Sequence, residues 1–349
     1  MKITTVGIDL AKTVLQVHGV NEHGKAVLKK PLKRDQVASF FANLPPCLIG
    51  MEACGSAHHW GRKLQGLGHT VKLMAPQFVK PYVKTNKNDA ADAEAICEAV
   101  ARPNMRFVPI KNIEQQAVLA LHRVRQGFVK ARTAQANQIR GLLAEFGLVI
   151  PQGIAHVPKR VPSLIEDASN EVPGSFGLLV QRLLEQLKEF DRQVHEIEKQ
   201  IVAWHRGNDD SRKLAKMPGI GPITASAMVA SIGDAKSFKN GRQVGAWLGL
   251  VPRQHSSGGK SVLLGMSKRG DSYLRTLLIQ GARSVIYAVQ QKKEAAPDGW
   301  LGGLLKRRNA NVAAVALANK NARIIWALLA HDREFRPNDA IAGVVAYSG

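Results

Sequence analysis

An α/β domain followed by a mainly helical half is the fold class that the sequence predicts, and three observations predict it. Alternating, β-branched segments open the chain as consecutive strands. Strand and helix signals then alternate as far as residue 74. Beyond residue 114 the apolar residues recur at helical spacing.

Residues 3–8 and 14–20 carry the first two strand patterns, and residues 21–25 supply turn chemistry before a short third strand over 26–29. The start therefore reads as an antiparallel meander. A helix over 35–43, a strand over 47–51, a helix over 56–66, a strand over 71–74 and further helices follow. This order, βββαβαβα, is that of the ribonuclease-H-like fold, whose first and fourth strands lie side by side. Asp9 and Glu52, at the ends of those strands, then face each other across the kind of crevice in which α/β sheets bind ligands.

From residue 114 to 146 a helical pattern runs without an internal proline and carries Arg123, Arg125, Lys130, Arg132 and Arg140, which makes it a basic helix. Proline and glycine punctuate residues 151–177. Leu179, Leu183, Leu187, Phe190, Val194, Ile197 and Ile201 then recur at spacings of three or four, the seam of a coiled coil. A helical hairpin within one chain and self-association both satisfy that seam. Beyond residue 208 come glycine turns and short amphipathic helices, ending in an apolar helical pattern over 312–329. The predicted division is a ribonuclease-H-like domain with the basic helix at 1–147, a linker and coiled coil at 148–206, and a C-terminal domain at 207–349.

Lys and Arg number 49 against 27 Asp and Glu, a formal net charge of +22 spread over the whole length. That balance is the footprint of a polyanion binder, and nucleic acid is the expected partner. Aromatic residues are only 5% of the chain, so contacts to the backbone rather than base stacking are expected to dominate. Cys47, Cys54 and Cys97 lack a spacing suited to zinc and read as buried thiols in a reducing compartment, without a disulfide framework. No run of about 18 apolar residues marks a membrane span, and strand signals follow Met1 directly where a secretory signal would stand. The expected location is the cytoplasm.

In so basic a chain, acids at the ends of predicted elements are the most informative feature: Asp9, Glu52, Asp89 and Asp92. Two-metal phosphoryl transfer needs several carboxylates converging on cations about 4 Å apart. Hard oxygen ligands of this kind suit magnesium. Asp89 and Asp92, at i and i+3, share a face if the helix through Ala93, Ile96 and Val100 begins there. Acids in a first helical turn also serve as caps, so both readings stay open for that pair. Asp9 follows Val6, Gly7 and Ile8, where a strand end normally carries an apolar or turn residue, and this favours a functional role. His58 and His59 have no partner at metal spacing and receive no role.

Met217-Pro218-Gly219-Ile220-Gly221-Pro222 is similar to a helix-hairpin-helix turn, whose backbone N–H groups around Gly219 and Gly221 grip a phosphate without reading sequence. Ordinary punctuation, glycine closing one helix and proline opening the next, produces the same string. Pro252-Arg253-Gln254-His255-Ser256-Ser257-Gly258-Gly259-Lys260 follows, then Ser267-Lys268-Arg269-Gly270-Asp271 and a helix bearing Arg275. A serine beside glycines and flanked by Lys260, Lys268, Arg269 and Arg275 can approach a phosphodiester closely. Its attack on phosphorus would form a phosphoserine ester that conserves bond energy for strand exchange. His255 precedes Ser257 by two residues and points the same way in an extended segment, although a flexible polar loop has the same composition.

These strings together resemble the transposases, or recombinases, of the bacterial insertion-sequence family numbered one-ten, in its one-one-one-one subgroup. The residues that carry the resemblance are Gly7-Ile8-Asp9-Leu10-Ala11-Lys12, Met51-Glu52-Ala53-Cys54, Lys87-Asn88-Asp89-Ala90-Ala91-Asp92-Ala93, Pro218-Gly219-Ile220-Gly221-Pro222, Gly249-Leu250-Val251-Pro252, Ser256-Ser257-Gly258-Gly259-Lys260 and Ser267-Lys268-Arg269-Gly270-Asp271. Singly each string is weak; their order and spacing over most of the chain are specific.

The resemblance implies a Holliday-junction-resolvase-like domain whose acidic tetrad, carried here by Asp9, Glu52, Asp89 and Asp92, binds magnesium. It also implies a coiled-coil middle and a C-terminal domain whose serine joins the resolvase-like site from another subunit. That serine maps to Ser257, just before the Gly-Gly-Lys, with Ser256 the adjacent alternative. The partners implied are donor and target DNA, a structured guide RNA from the element's non-coding end, and further copies of the chain as a dimer or tetramer. Two rival functions fit the same residues: a metal-dependent junction nuclease that hydrolyses with water, and a non-catalytic architectural DNA binder.

Overall fold

The computed structural model describes residues 2–84, 88–291 and 300–336; Lys87 of the acidic motif lies outside them. The chain divides into two compact units, Met1–Gln115 with Ile232–Ser237 and Gln116–Ser231 with Phe238–Gly349.

In the first unit three strands open the chain: β1 (Thr5–Leu10), β2 (Val14–Val20) and β3 (Ala26–Lys33). Next come α1 (Arg34–Ala42), β4 (Leu48–Glu52), α2 (Ala57–Gly66), β5 (Thr70–Met74), α3 (Pro76–Val79), α4 (Asp89–Val100) and β6 (Phe107–Val108). The sheet has the order β3-β2-β1-β4-β5-β6. β1 pairs antiparallel with β2 and parallel with β4, and β4 pairs parallel with β5. This mixed sheet with its helices fits the ribonuclease-H-like expectation. Val6, Ile8, Ile49, Met51 and Leu73, on the central parallel strands, are all within 5% of complete burial, as strands covered on both faces require.

Two elements differ from the sequence reading. β3 runs to Lys33 rather than stopping at Lys29, because it is an edge strand whose Lys29, Lys30, Pro31 and Lys33 break the apolar pattern while deterring pairing with another chain. β6 has only two residues, too few for any periodicity.

Two glycines fix α4 to the sheet. A Cβ on Gly7 of β1 would lie 2.2 Å from the Ala93 carbonyl oxygen and 2.4 Å from the Cys97 amide nitrogen, and one on Gly50 of β4 would lie 2.7 Å from the Val100 Cβ. α4 therefore lies directly on the backbone of β1 and against β4 where they pair, Gly7 opposite Gly50.

The second unit contains α5 (Ile113–Ala144, its first residues belonging to the first unit), α6 (His156–Glu166), α7 (Gly174–Gly207), α8 (Asp209–Ala215), α9 (Pro222–Ile232) and α10 (Gly241–Trp247). The hairpin of β7 (Pro252–Ser257) and β8 (Lys260–Met266) precedes α11 (Ser272–Gln291), α12 (Trp300–Arg307) and α13 (Ala310–Ala330). α5 and α7 run antiparallel, since Arg125 pairs with Glu198, Phe128 with Phe190 and Arg132 with Asp191. The buried stripe of α7 is Val180, Leu184, Leu187, Val194, Ile197 and Ile201. Leu179, the first residue of the expected seam, is exposed, and Val180 takes its place. α6 occupies part of the stretch that proline and glycine had marked as punctuation.

α13 is long and apolar enough to cross a membrane by length and composition, which qualifies the expectation of no such run. It packs on α10 and α11 as a core helix, and its Asn319 and Asn321 donate to the carbonyls of Leu250 and Pro218. Of the cysteines, Cys47 and Cys97 are buried as expected, whereas Cys54 is exposed at the end of β4.

Candidate metal centre and nucleic-acid interface

The register Ile8↔Met51 leaves Asp9 and Glu52 as the next residues on adjacent parallel strands. Side chains alternate along a strand, so Asp9 shares the face of Gly7 and Glu52 that of Gly50. Both glycines face α4, and the two acids consequently project to the side where α4 begins. Asp9, Asp89 and Asp92 bring one carboxylate oxygen each within 4.8 Å of one another. Asn88 is the N-cap of α4, its Oδ1 accepting from the Ala90 N–H at 3.0 Å, and the first-turn acids Asp89 and Asp92 also suit the helix macrodipole. Asp89 and Asp92 stand in that turn with their carboxylates turned toward Asp9.

Glu52 belongs to the same electrostatic group. Burial, then the charges of Asp9 and Asp92, hold its carboxyl above the usual range. A carboxyl raised by burial and by like charges is relieved by a cation, and an all-oxygen donor set suits a hard divalent ion. The residues present fit such an ion.

The contacts of Arg34 and Arg62 on α1 and α2 were not read from the sequence. Arg34, at the start of α1, donates to the carbonyls of Ala11 and Lys12 in the turn after Asp9, and its guanidinium stacks 5.6 Å from the Trp60 ring centroid on α2. One side chain thereby ties the exit of β1 to the helix that follows β4. His58 and Arg62, one turn apart on α2, hold the backbone of Lys111: His58 accepts from its N–H and Arg62 donates to its carbonyl. The i, i+4 spacing of His58 and Arg62 was the available signal; nothing in the sequence announced Arg34.

In the second unit, Gly219 has φ +78° and packs against Gly281 of α11, where a Cβ would lie 2.6 Å from the Gly281 carbonyl oxygen. Gly221 faces open space. The turn around these glycines leads into Pro222 at the start of α9. Arg275 donates to the Leu248 carbonyl at 3.0 Å and is partly withdrawn from solvent, whereas Lys260, Lys268 and Arg269 are exposed. Between Asp234 and Asp271 the chain has no acidic residue, while Lys236, Lys239, Arg242, Arg253, Lys260, Lys268 and Arg269 are all cationic. The segment from Pro252 to Lys260 is not a loop but a β-hairpin, closed by Gly258 and Gly259 with φ of 56° and 77°. Positive φ at both central residues is the requirement of a type I′ turn. Its register places Ser257 opposite Lys260 and Ser256 opposite Ser261.

The Transposase IS116/IS110/IS902 family matches residues 211–296, and a transposase family of the DEDD IS110 type matches residues 6–147. The chain is 44% identical over 334 residues, 96% of its length and 92% of the relative's, to the "Transposase for insertion sequence element IS1111A" of Coxiella burnetii. The chain belongs to the IS110 family of transposases. Other members it resembles are the "Transposase for insertion sequence element IS1328" of Yersinia enterocolitica, 44% identical over 93% of this chain and 96% of the relative, and the "Probable family 20 transposase" of Pseudomonas aeruginosa, 54% identical over 97% and 100%. Membership implies the cutting and rejoining of DNA, and the DEDD-type domain suggests use of a divalent metal; Asp9, Asp89 and Asp92 form an acidic cluster within its span.

Proposed function

We propose that this protein is the recombinase of an insertion sequence, cutting and rejoining DNA strands with the acids Asp9, Glu52, Asp89 and Asp92 as ligands of magnesium and with Ser257 as nucleophile. The observation that carries the reading is the convergence of Asp9, Asp89 and Asp92 within 4.8 Å at the strand end where burial and like charge raise Glu52. When bound, magnesium supplies charge neutralisation at the attacking and leaving oxygens.

The four acids hold and orient the ion; Ser257 Oγ attacks phosphorus and keeps the DNA end as a phosphoserine ester, so no nucleoside triphosphate is needed. Gly221 and the start of α9, with Lys260, Lys268, Arg269 and Arg275, hold the DNA backbone. A guide RNA takes a share of the positive charge, and the acids and serine work together in a dimer or tetramer acting in the cytoplasm. The C-terminal domain begins near residue 207, after the coiled coil.

A denaturing gel tests this. Protein should remain covalently attached to DNA in the presence of magnesium, and Ser257→Ala should abolish the attachment. Cleavage with no covalent species would instead mark a water-using junction nuclease, and the absence of magnesium-dependent cleavage an architectural binder.

A further inference from the structure

We infer that Lys260 and His255 are catalytic partners of Ser257, grouped on one face of the β7–β8 hairpin. This rests on the reading of Ser257 as nucleophile and extends it to two residues with no assigned part in the chemistry.

The register carries the inference. Residues directly opposite in an antiparallel ladder send their side chains to the same face with Cβ atoms about 5 Å apart. Ser257 and Lys260 are such a pair, held together by the Gly258-Gly259 turn. His255 lies two residues back on β7, about 7 Å along the strand on that same face, opposite Val262. Gln254 and Ser256 occupy the other face, where the Gln254 side chain donates to Ser256 Oγ at 2.8 Å. The hairpin thus separates its two adjacent serines: Ser257 stands with a cation and an imidazole, Ser256 with an amide and the hydroxyl of Ser261.

The chemistry follows from that grouping. A phosphodiester under attack gathers negative charge on its non-bridging oxygens, and the Lys260 ammonium is within reach of them when Ser257 Oγ is on phosphorus. The Oγ–P bond forms as the bond from phosphorus to the leaving sugar oxygen breaks. The Oγ proton passes to the imidazole of His255, and the leaving oxygen takes a proton from solvent. All three side chains are exposed, as groups that meet a large substrate must be.

The test uses the full chain with duplex DNA carrying the element's own end and flank, together with RNA transcribed from its non-coding end. The rate of covalent protein–DNA product at saturating DNA is compared with DNA affinity measured by anisotropy. Lys260→Met should slow product formation at saturating DNA about 100-fold, far beyond its loss of affinity, and Lys260→Arg should recover most of the rate. His255→Gln should slow it at least about tenfold, with affinity within about threefold. Gln254→Ala, on the opposite face, should react normally. Wild-type rates in Lys260→Met and His255→Gln, with Ser257→Ala inactive, would overturn this inference and leave the recombinase reading standing. So would a Lys260→Met defect matched by an equal loss of affinity, which makes the lysine an anchor only. Covalent product from Ser257→Ala would overturn both.

Discussion

The acidic pocket and the hairpin present chemistry in opposite ways. Asp9 and Glu52 sit at strand ends in the middle of a six-stranded sheet, and α4 is set beside them by backbone contacts at Gly7 and Gly50. Ser257 sits on a two-stranded ribbon whose residues are all exposed except Met266, and its place is fixed by its own ladder and turn. On the proposed function, groups that would converge on a small cation are held by packing, and a group that would reach into a long polymer is held out to solvent.

The largest effect should come from the acids proposed to hold the metal. Asp9→Asn should lower excision and insertion at least about 1,000-fold, yet in the absence of divalent cation it should raise the melting temperature by about 2 °C, because one of the like charges on Glu52 is gone. A melting temperature that falls would mean that the acids are not in mutual repulsion. Gly7→Ala should destabilise the first unit by about 3 kcal/mol in denaturant titrations, since its methyl would meet backbone atoms of α4 that no rotamer change can move.

A third prediction concerns the second unit, where buried His122 is placed between Tyr273 and Ser226, at 2.9 and 3.1 Å. Burial, with Arg125 adding to it, pushes its imidazole down to about 4. The unfolded chain therefore binds a proton that the folded one refuses. This contribution to stability is complete above about pH 6.5 and is lost as pH falls toward 4, at most about 3 kcal/mol, and His122→Phe should remove that pH dependence from the unfolding curves. Gly258→Ala should cost only about 1 kcal/mol, because its φ of 56° is unfavourable for a side chain but the space around it is open. Smallest of all, Ser256→Ala should leave recombination within about twofold of normal.

The contrast between the two regions also marks how far the sequence could be read. Strands with a buried face announce themselves by alternation, so the meander and the approach of Asp9 to Glu52 were legible from Val6, Ile8, Ile49 and Met51. The closeness of Asp89 and Asp92 to Asp9 depends on glycines being flat enough for a helix to lie on them, and a lone Gly7 or Gly50 carries no such label. The hairpin gave no strand signal because none of its side chains is buried, so PRQHSS has the composition of a loop. Leu179 fits the helical spacing as well as Val180 does; only the position of the neighbouring helices decides which turns inward.

The contact between Gly219 and Gly281 has an evolutionary consequence. Each residue occupies the space that a side chain on the other would need, down to a separation of 1.8 Å between a Cβ on Gly281 and the Gly219 carbonyl oxygen. Most tight contacts in a protein core can drift, because an enlargement on one side is rescued by a reduction on the other. Here there is no smaller amino acid to retreat to, so the two positions are locked to their present identities independently, and the joint between the turn before α9 and α11 can accept neither change first.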